Sequence, residues 1–259
     1  MNTIICDTNI WYGDLNLSNT SRENKLIGTA VNIIEISSSP NLQSNIKEVY
    51  SAIKRFIDFN TNIVNVNPIE YLIKTFFTDF IPDTKVIDNL LLEFELFLTI
   101  DIDELSTKGD ILEMKRRIDK IDGDKQYFSE IVNQRLPVIR ENIKKVRNKK
   151  QHRKILFHEY WKEFIIEHVK LYSKKYLGQE IVININDPKW SNFHFFLTVW
   201  ELFFKELELR GNGKVDKNDI PDLFNLVYVK PDMKYWTKES KWNNLILSDD
   251  ELKQYLYRP

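Results

Sequence analysis

The chain has 259 residues, 42% of them hydrophobic and 13% aromatic, enough apolar material for a sizeable core in one large domain or two ordinary ones. Its 37 basic and 38 acidic side chains nearly cancel, so any attraction to nucleic acid must come from a local patch rather than from overall charge. The single cysteine, Cys6, excludes an internal disulfide and a multi-cysteine zinc site, and suits a reducing compartment.

The N-terminus carries no basic stretch leading into an apolar segment, so it does not read as a secretory signal, and a cytoplasmic setting is expected. Residues 3–6, β-branched and then cysteine, predict a short buried strand that stops at Asp7 and is followed by Thr8 and Asn9. Asp7 is open to two readings: an N-cap for the next helix, or a carboxylate placed where parallel strands end and ligands gather. A second strand is expected over 26–31, then a helix capped by Asn32 that carries Glu35 among isoleucines, with interruption at 37–40. Residues 42–60 and 68–80 have the three- and four-residue apolar spacing of amphipathic helices.

From about 85 to 177 the pattern is helical, with Gly109, Gly123 and Pro137 as breakers. Within it, 140–154 holds a dense basic run that includes Lys144, Lys145, Arg147, Lys149, Lys150 and Arg153. This run either tracks a phosphate backbone, with Tyr160 and Trp161 close behind to stack on a base, or is a solvated helix face. Residues 180–186 alternate apolar and polar side chains as a short strand would. The greasy run at 193–204 falls short of the roughly 20 residues of a membrane span and reads as a buried helix, so no membrane partner is expected. A helix starting near Asp219, a strand over 233–237 and a polar tail complete the order. Strands near both ends with helices between them predict an α/β layered core.

Rival motifs fail on their residues. The stretch 208–224 imitates half an EF-hand, with Gly213 at the turn and Val215 as anchor. It nevertheless puts Arg210 where an oxygen ligand is required and Asp219 where a bidentate glutamate is usual. The four histidines are scattered, and no zinc-protease, Walker or serine-elbow motif is present. Carboxylates remain as the candidate chemistry.

Asp7 with Thr8 and Asn9, Glu35 after the second strand, and Asp222 followed by "KYWTKE" together resemble the PIN-domain nucleases. The resemblance covers roughly 1–80 and 205–245. It implies a PIN-like parallel sheet flanked by helices, with core segments 1–84 and 180–259 and a large α-helical insertion at 85–179. It further implies catalytic and metal-holding roles for Asp7, Glu35, Asp222 and Glu239, supported by Asn9, Thr237 and Asp219. Asp232 is the rival fourth acid, set aside because it lies where the last strand begins rather than where it ends. The implied activity is Mg2+- or Mn2+-dependent phosphodiester hydrolysis, most often of single-stranded or structured RNA, with DNA as another substrate. Clustered carboxylates suit these hard ions. A protein inhibitor or a homo-oligomer is a further implied partner, and a catalytically weak PIN-like binding module is the alternative.

Overall fold

A computed structural model describes residues 1–13, 17–60, 62–101, 111–147, 155–211 and 213–259. Four parallel strands, β1 (Thr3–Cys6), β2 (Lys25–Thr29), β3 (Asn62–Val64) and β4 (Met233–Trp236), form a sheet in the order β3-β2-β1-β4. Around it lie α1 (Thr8–Tyr12), α2 (Leu17–Glu23), α3 (Ala30–Ser37), α4 (Asn41–Ser44), α5 (Ile46–Phe59), α6 (Pro68–Phe76) and α7 (Lys85–Thr99). They continue with α8 (Ile111–Arg147), α9 (Ile155–Tyr176), α10 (His194–Leu209), α11 (Asp219–Asn225) and α12 (Ser240–Leu247). The expected α/β class, a parallel sheet flanked by helices, is what the chain adopts.

Alternation along each strand sends side chains into two different cores. Ile5, Ile27 and Tyr235 face one that includes Trp161, Trp200 and Tyr228. Ile4, Cys6, Leu26 and Trp236 face the other, with Trp11, Phe56 and Phe94. Both faces are therefore covered, the usual condition of a parallel sheet. Gly28 lets α5 lie close on β2: a Cβ there would come within 2.3 Å of the Phe56 ring. The long middle of the chain shares both cores: α7 contributes Ile87, Leu90 and Phe94 to the second, and α8 contributes Val132, Leu136, Ile139 and Ile143 to the first.

Several local expectations need correction. The second strand ends at Thr29, which is the N-cap of α3. Asn32 is not the cap but its partner in a capping box, since its Oδ1 accepts a hydrogen bond from the Thr29 N–H at 2.9 Å. The helix expected over 42–60 breaks at Asn45, where φ is −150°, and the one expected over 68–80 ends at Phe76. Residues 180–186 form no strand: both sheet edges belong to other segments, and the Ile181 N–H bonds the Ser173 hydroxyl at 2.9 Å while Ile183 plugs into the core. Gly123 and Pro137 lie inside α8 rather than ending it, and Gly109 falls outside the described residues. The supposed polar tail contains α12, whose Trp242, Leu245 and Ile246 are buried at helical spacing. The apolar run is the buried helix expected, as α10. Among the described residues, no helix is long and apolar enough to cross a membrane.

Candidate functional site

The chain runs from β1 through β2 to β3 on one side and places β4 on the other side of β1. The strand order thus reverses between β1 and β4, and a crevice opens at such a point beyond the carboxyl ends. Asp7 follows β1 directly, and its N–H donates to the Trp236 carbonyl at 2.9 Å, tying it to the end of β4. Thr237 follows Trp236 at the same level of the sheet.

Asp7 is buried, at 2% exposure. One of its oxygens, Oδ1, accepts from the Thr8 N–H at 2.7 Å, so the capping reading holds. The other, Oδ2, accepts from Asn9 Nδ2 at 2.7 Å and from the Thr237 hydroxyl at 2.6 Å. Both supporting residues therefore grip the same carboxylate. A carboxylate offers about four lone-pair sites, and these donors leave one. Thr8 also links Asp7 to Glu35: its hydroxyl donates to Glu35 Oε2 at 2.5 Å and accepts from Asn32 Nδ2 at 3.0 Å.

Asp222 is brought to the same place by α11, buried at 9% exposure, with Trp242 Nε1 donating to its Oδ2 at 3.0 Å. Glu239 follows Thr237 and is the most exposed of the four acids; its N–H donates to the Thr237 hydroxyl at 3.1 Å.

The electrostatics accord with acids that lie near one another. Burial pushes the Asp7 carboxyl up to about 7, the Thr237 hydrogen bond opposes this, and the charges of Glu35 and Glu239 push it further. Asp222 is raised well above its usual range by burial and then by Asp7, Glu35 and Glu239, against the Trp242 hydrogen bond. Glu239 is raised by burial; Lys241 pulls it down, Glu35 pushes it up, and a hydrogen bond from Asn9 lowers it. Each acid is thus felt by acids far away in sequence.

Asp219 is buried as well, and its oxygens are engaged elsewhere. Its Oδ2 accepts from the Asp216 N–H at 2.9 Å and its Oδ1 pairs with Lys241. Asp232 is exposed and sits ahead of β4, away from the strand end that carries Thr237.

Two lysines complete the site, and neither was anticipated from sequence. Lys125 of α8 reaches Glu35 Oε1 at 3.2 Å, and Lys241 of α12 pairs with Asp219. The signal for Lys241 was present in the helical spacing of Trp242, Leu245 and Ile246, which predicts a helix whose first turn adjoins Glu239. Lys125 meets Glu35 across 90 positions, and no local pattern announces that.

The donor set is all oxygen, the chemistry that hard divalent ions prefer, and its mutual repulsion is what a cation relieves. Among the described residues, however, no group of three or more His, Cys, Asp or Glu side chains is already arranged to hold a metal ion. Protein donors occupy three of Asp7's lone-pair sites, and lysines take oxygens of Glu35 and Asp219. Holding an ion would require some of these partners to give way.

The candidate nucleic-acid contacts fare differently. Lys144 and Lys145 are exposed on α8, with Lys145 paired to Glu141 at 2.7 Å. Arg147 ends that helix, and nothing is described of its side chain; Lys149, Lys150 and Arg153 lie outside the described residues. Trp161 does not wait for a base: it is fully buried and stacked on Phe204 with ring centroids 4.6 Å apart. Tyr160 is half-buried against it, at 5.2 Å. Within the EF-hand imitation Val215 is docked on α8, its N–H donating to Asn133 Oδ1 at 2.8 Å and its carbonyl accepting from Asn133 Nδ2 at 2.9 Å.

Comparison with family models, with curated proteins and with solved structures gives no match in any of the three.

Proposed function

We propose that the protein is a metal-dependent nuclease, acting on RNA, with Asp7, Glu35 and Asp222 as its central acids and Glu239 at the edge. The PIN-like resemblance of the motifs suggests this reading. The observation that carries it is a set of hydrogen bonds at the carboxyl end of the sheet: Asp7, just after β1, is tied to Thr237 after β4 and through Thr8 to Glu35 of α3, while the 2.7 Å bond from the Thr29 hydroxyl to Asn225 holds α11, which carries Asp222, against the start of α3.

A bound Mg2+ or Mn2+ would lower the pKa of a coordinated water and stabilise charge developing on the phosphate. The chain's own part is to hold the carboxylates. Asn9 and Thr237 fix Asp7 Oδ2, Thr8 fixes the spacing of Asp7 and Glu35, and Trp242 orients Asp222. Such outer partners orient the groups that bind the ion. At Asp222, Oδ1 has no protein donor among the described residues, leaving it available.

The test is digestion of total RNA with Mg2+ or Mn2+, with and without chelator, by wild type and Asp7→Asn. Cleavage should need the ion and fall at least about 100-fold in the variant, the scale of losing one general acid–base or electrostatic group. Equal cleavage by the two proteins, or cleavage that survives chelation, would remove Asp7 and the ion from the reaction.

A second reading, a PIN-like module that binds nucleic acid or protein without turnover, is favoured by one observation: Lys125 and Lys241 already neutralise Glu35 and Asp219. It forecasts RNA retention with no product at any divalent-ion concentration.

A further inference from the structure

Two cavities border Glu35, one of about 650 Å3 and one of about 600 Å3. The first is apolar, walled by Ile34, Ile69, Leu90 and Phe224; the second is polar, walled by Thr8, Asn9, Ser38 and Asn41. Both are lined by Glu35, Ile121 and Lys125, so the Lys125–Glu35 pair is part of their common wall. The polar cavity is also lined by Glu48, Asp119 and Asp122, so an anionic backbone laid there meets acids and requires a cation, while the apolar one offers a surface for the flat faces of bases.

The pair is partly withdrawn from water, with side chains 18% and 16% exposed. Its N–O distance of 3.2 Å is nonetheless long for a charge-assisted hydrogen bond, which is usually about 2.7–2.9 Å. An ammonium has three donors, and Glu35 takes one. Lys241 is held otherwise: besides Asp219 it lies over the rings of Phe203 and Trp242, at 4.6 and 4.7 Å from their centroids, contacts it would lose by leaving. Of the two lysines, Lys125 is the one free to turn on its flexible stem.

On the reading of the acids as a divalent-ion site, we infer that Lys125 is an exchangeable cation. It covers Glu35 while no ion is bound, and turns to a phosphate of a single-stranded nucleic acid when an ion takes Glu35. The charges demand an exchange of this kind: an ion and Lys125 compete for Glu35 Oε1, and a phosphate arriving beside four acids needs a cation of its own.

One variant should therefore move two affinities in opposite directions. Mn2+ binding by calorimetry, and binding of a labelled hydrolysis-resistant phosphorothioate single strand by anisotropy in Mn2+, are to be compared for wild type, Lys125→Met and Lys125→Arg. Lys125→Met should bind Mn2+ about tenfold more tightly and the strand about tenfold more weakly, the scale of one charge-assisted hydrogen bond. Lys125→Arg should keep most of the strand affinity.

Should both affinities fall together, or neither change, while wild type binds Mn2+, the exchange is wrong and the ion site stands. If neither wild type nor Lys125→Met binds Mn2+, the ion site falls and takes the exchange with it. Were Lys125→Met to fold poorly by its melting curve, Lys125→Gln, which keeps a polar end, gives the same comparison.

Discussion

Asp7 carries opposed obligations that a single residue rarely meets at once: it caps α1 and ends β1, yet it is a carboxylate buried among other acids. The cost has a pH signature. In the metal-free protein burial and its neighbours raise Asp7 from an ordinary 3.8 to about 7, so between those values the folded state keeps a proton that the unfolded chain has released. Stability contributed by Asp7 is therefore highest below about 4 and declines as pH rises towards 7. Asp222 acts in the same direction. His168 acts oppositely, its pKa lowered by burial, so its contribution is lost as pH falls through its usual range. Comparing wild type with Asp7→Asn isolates the one residue. Urea unfolding from pH 4.5 to 7 should show a decline that is smaller in the variant; equal slopes would mean that burial of Asp7 costs nothing.

At the scale of elements, legibility followed local chemistry. β1 was readable because its β-branched run stops at Asp7; β2 was readable as an apolar run, but its end at Thr29 was not, because Ala30 and Val31 continue the apolar pattern into α3. β3 was missed because three residues, Asn62–Val64, are too few to show alternation. Residues 180–186 misled for the converse reason: alternation reports which side chains are buried, not whether a strand is available to pair. Trp161 and Tyr160 were expected beside a basic run, and sequence adjacency hid that Trp161 points into the aromatic layer of Phe204, Trp200 and Phe164. Trp161→Ala should accordingly cost about 3–5 kcal/mol of stability. In urea unfolding a loss under about 1 kcal/mol, together with weakened RNA binding, would restore the stacking role.

For the whole molecule, α8 joins parts that the sequence keeps separate. Its Lys125 meets the acid site, its Val132 to Ile143 face enters the core, and its far end presents Lys144 and Lys145. At about 1.5 Å per residue, those lysines lie about 30 Å along the helix from Lys125, too far to touch the same short ligand. Lys144→Gln with Lys145→Gln should thus leave binding of a four-nucleotide strand unchanged, and reduce the salt dependence of long-RNA binding by about one to two ions released. An unchanged salt slope on long RNA would make this stretch the solvated face that is the other reading of its charges. The candidate acids could be named from sequence because motif residues announce them one by one. Their cations were not, since Lys125 and Lys241 are ordinary surface-type lysines until the fold sets them against Glu35 and Asp219.

The central claim is that acids from opposite ends of the chain bind one ion together, and titration of Mn2+ into wild type, Asp7→Asn and Asp222→Asn by calorimetry tests it most directly. Saturable binding by wild type, weakened at least about tenfold by either substitution, is the expected result. Affinity that ignores both substitutions, or no binding by any of the three proteins, would contradict it.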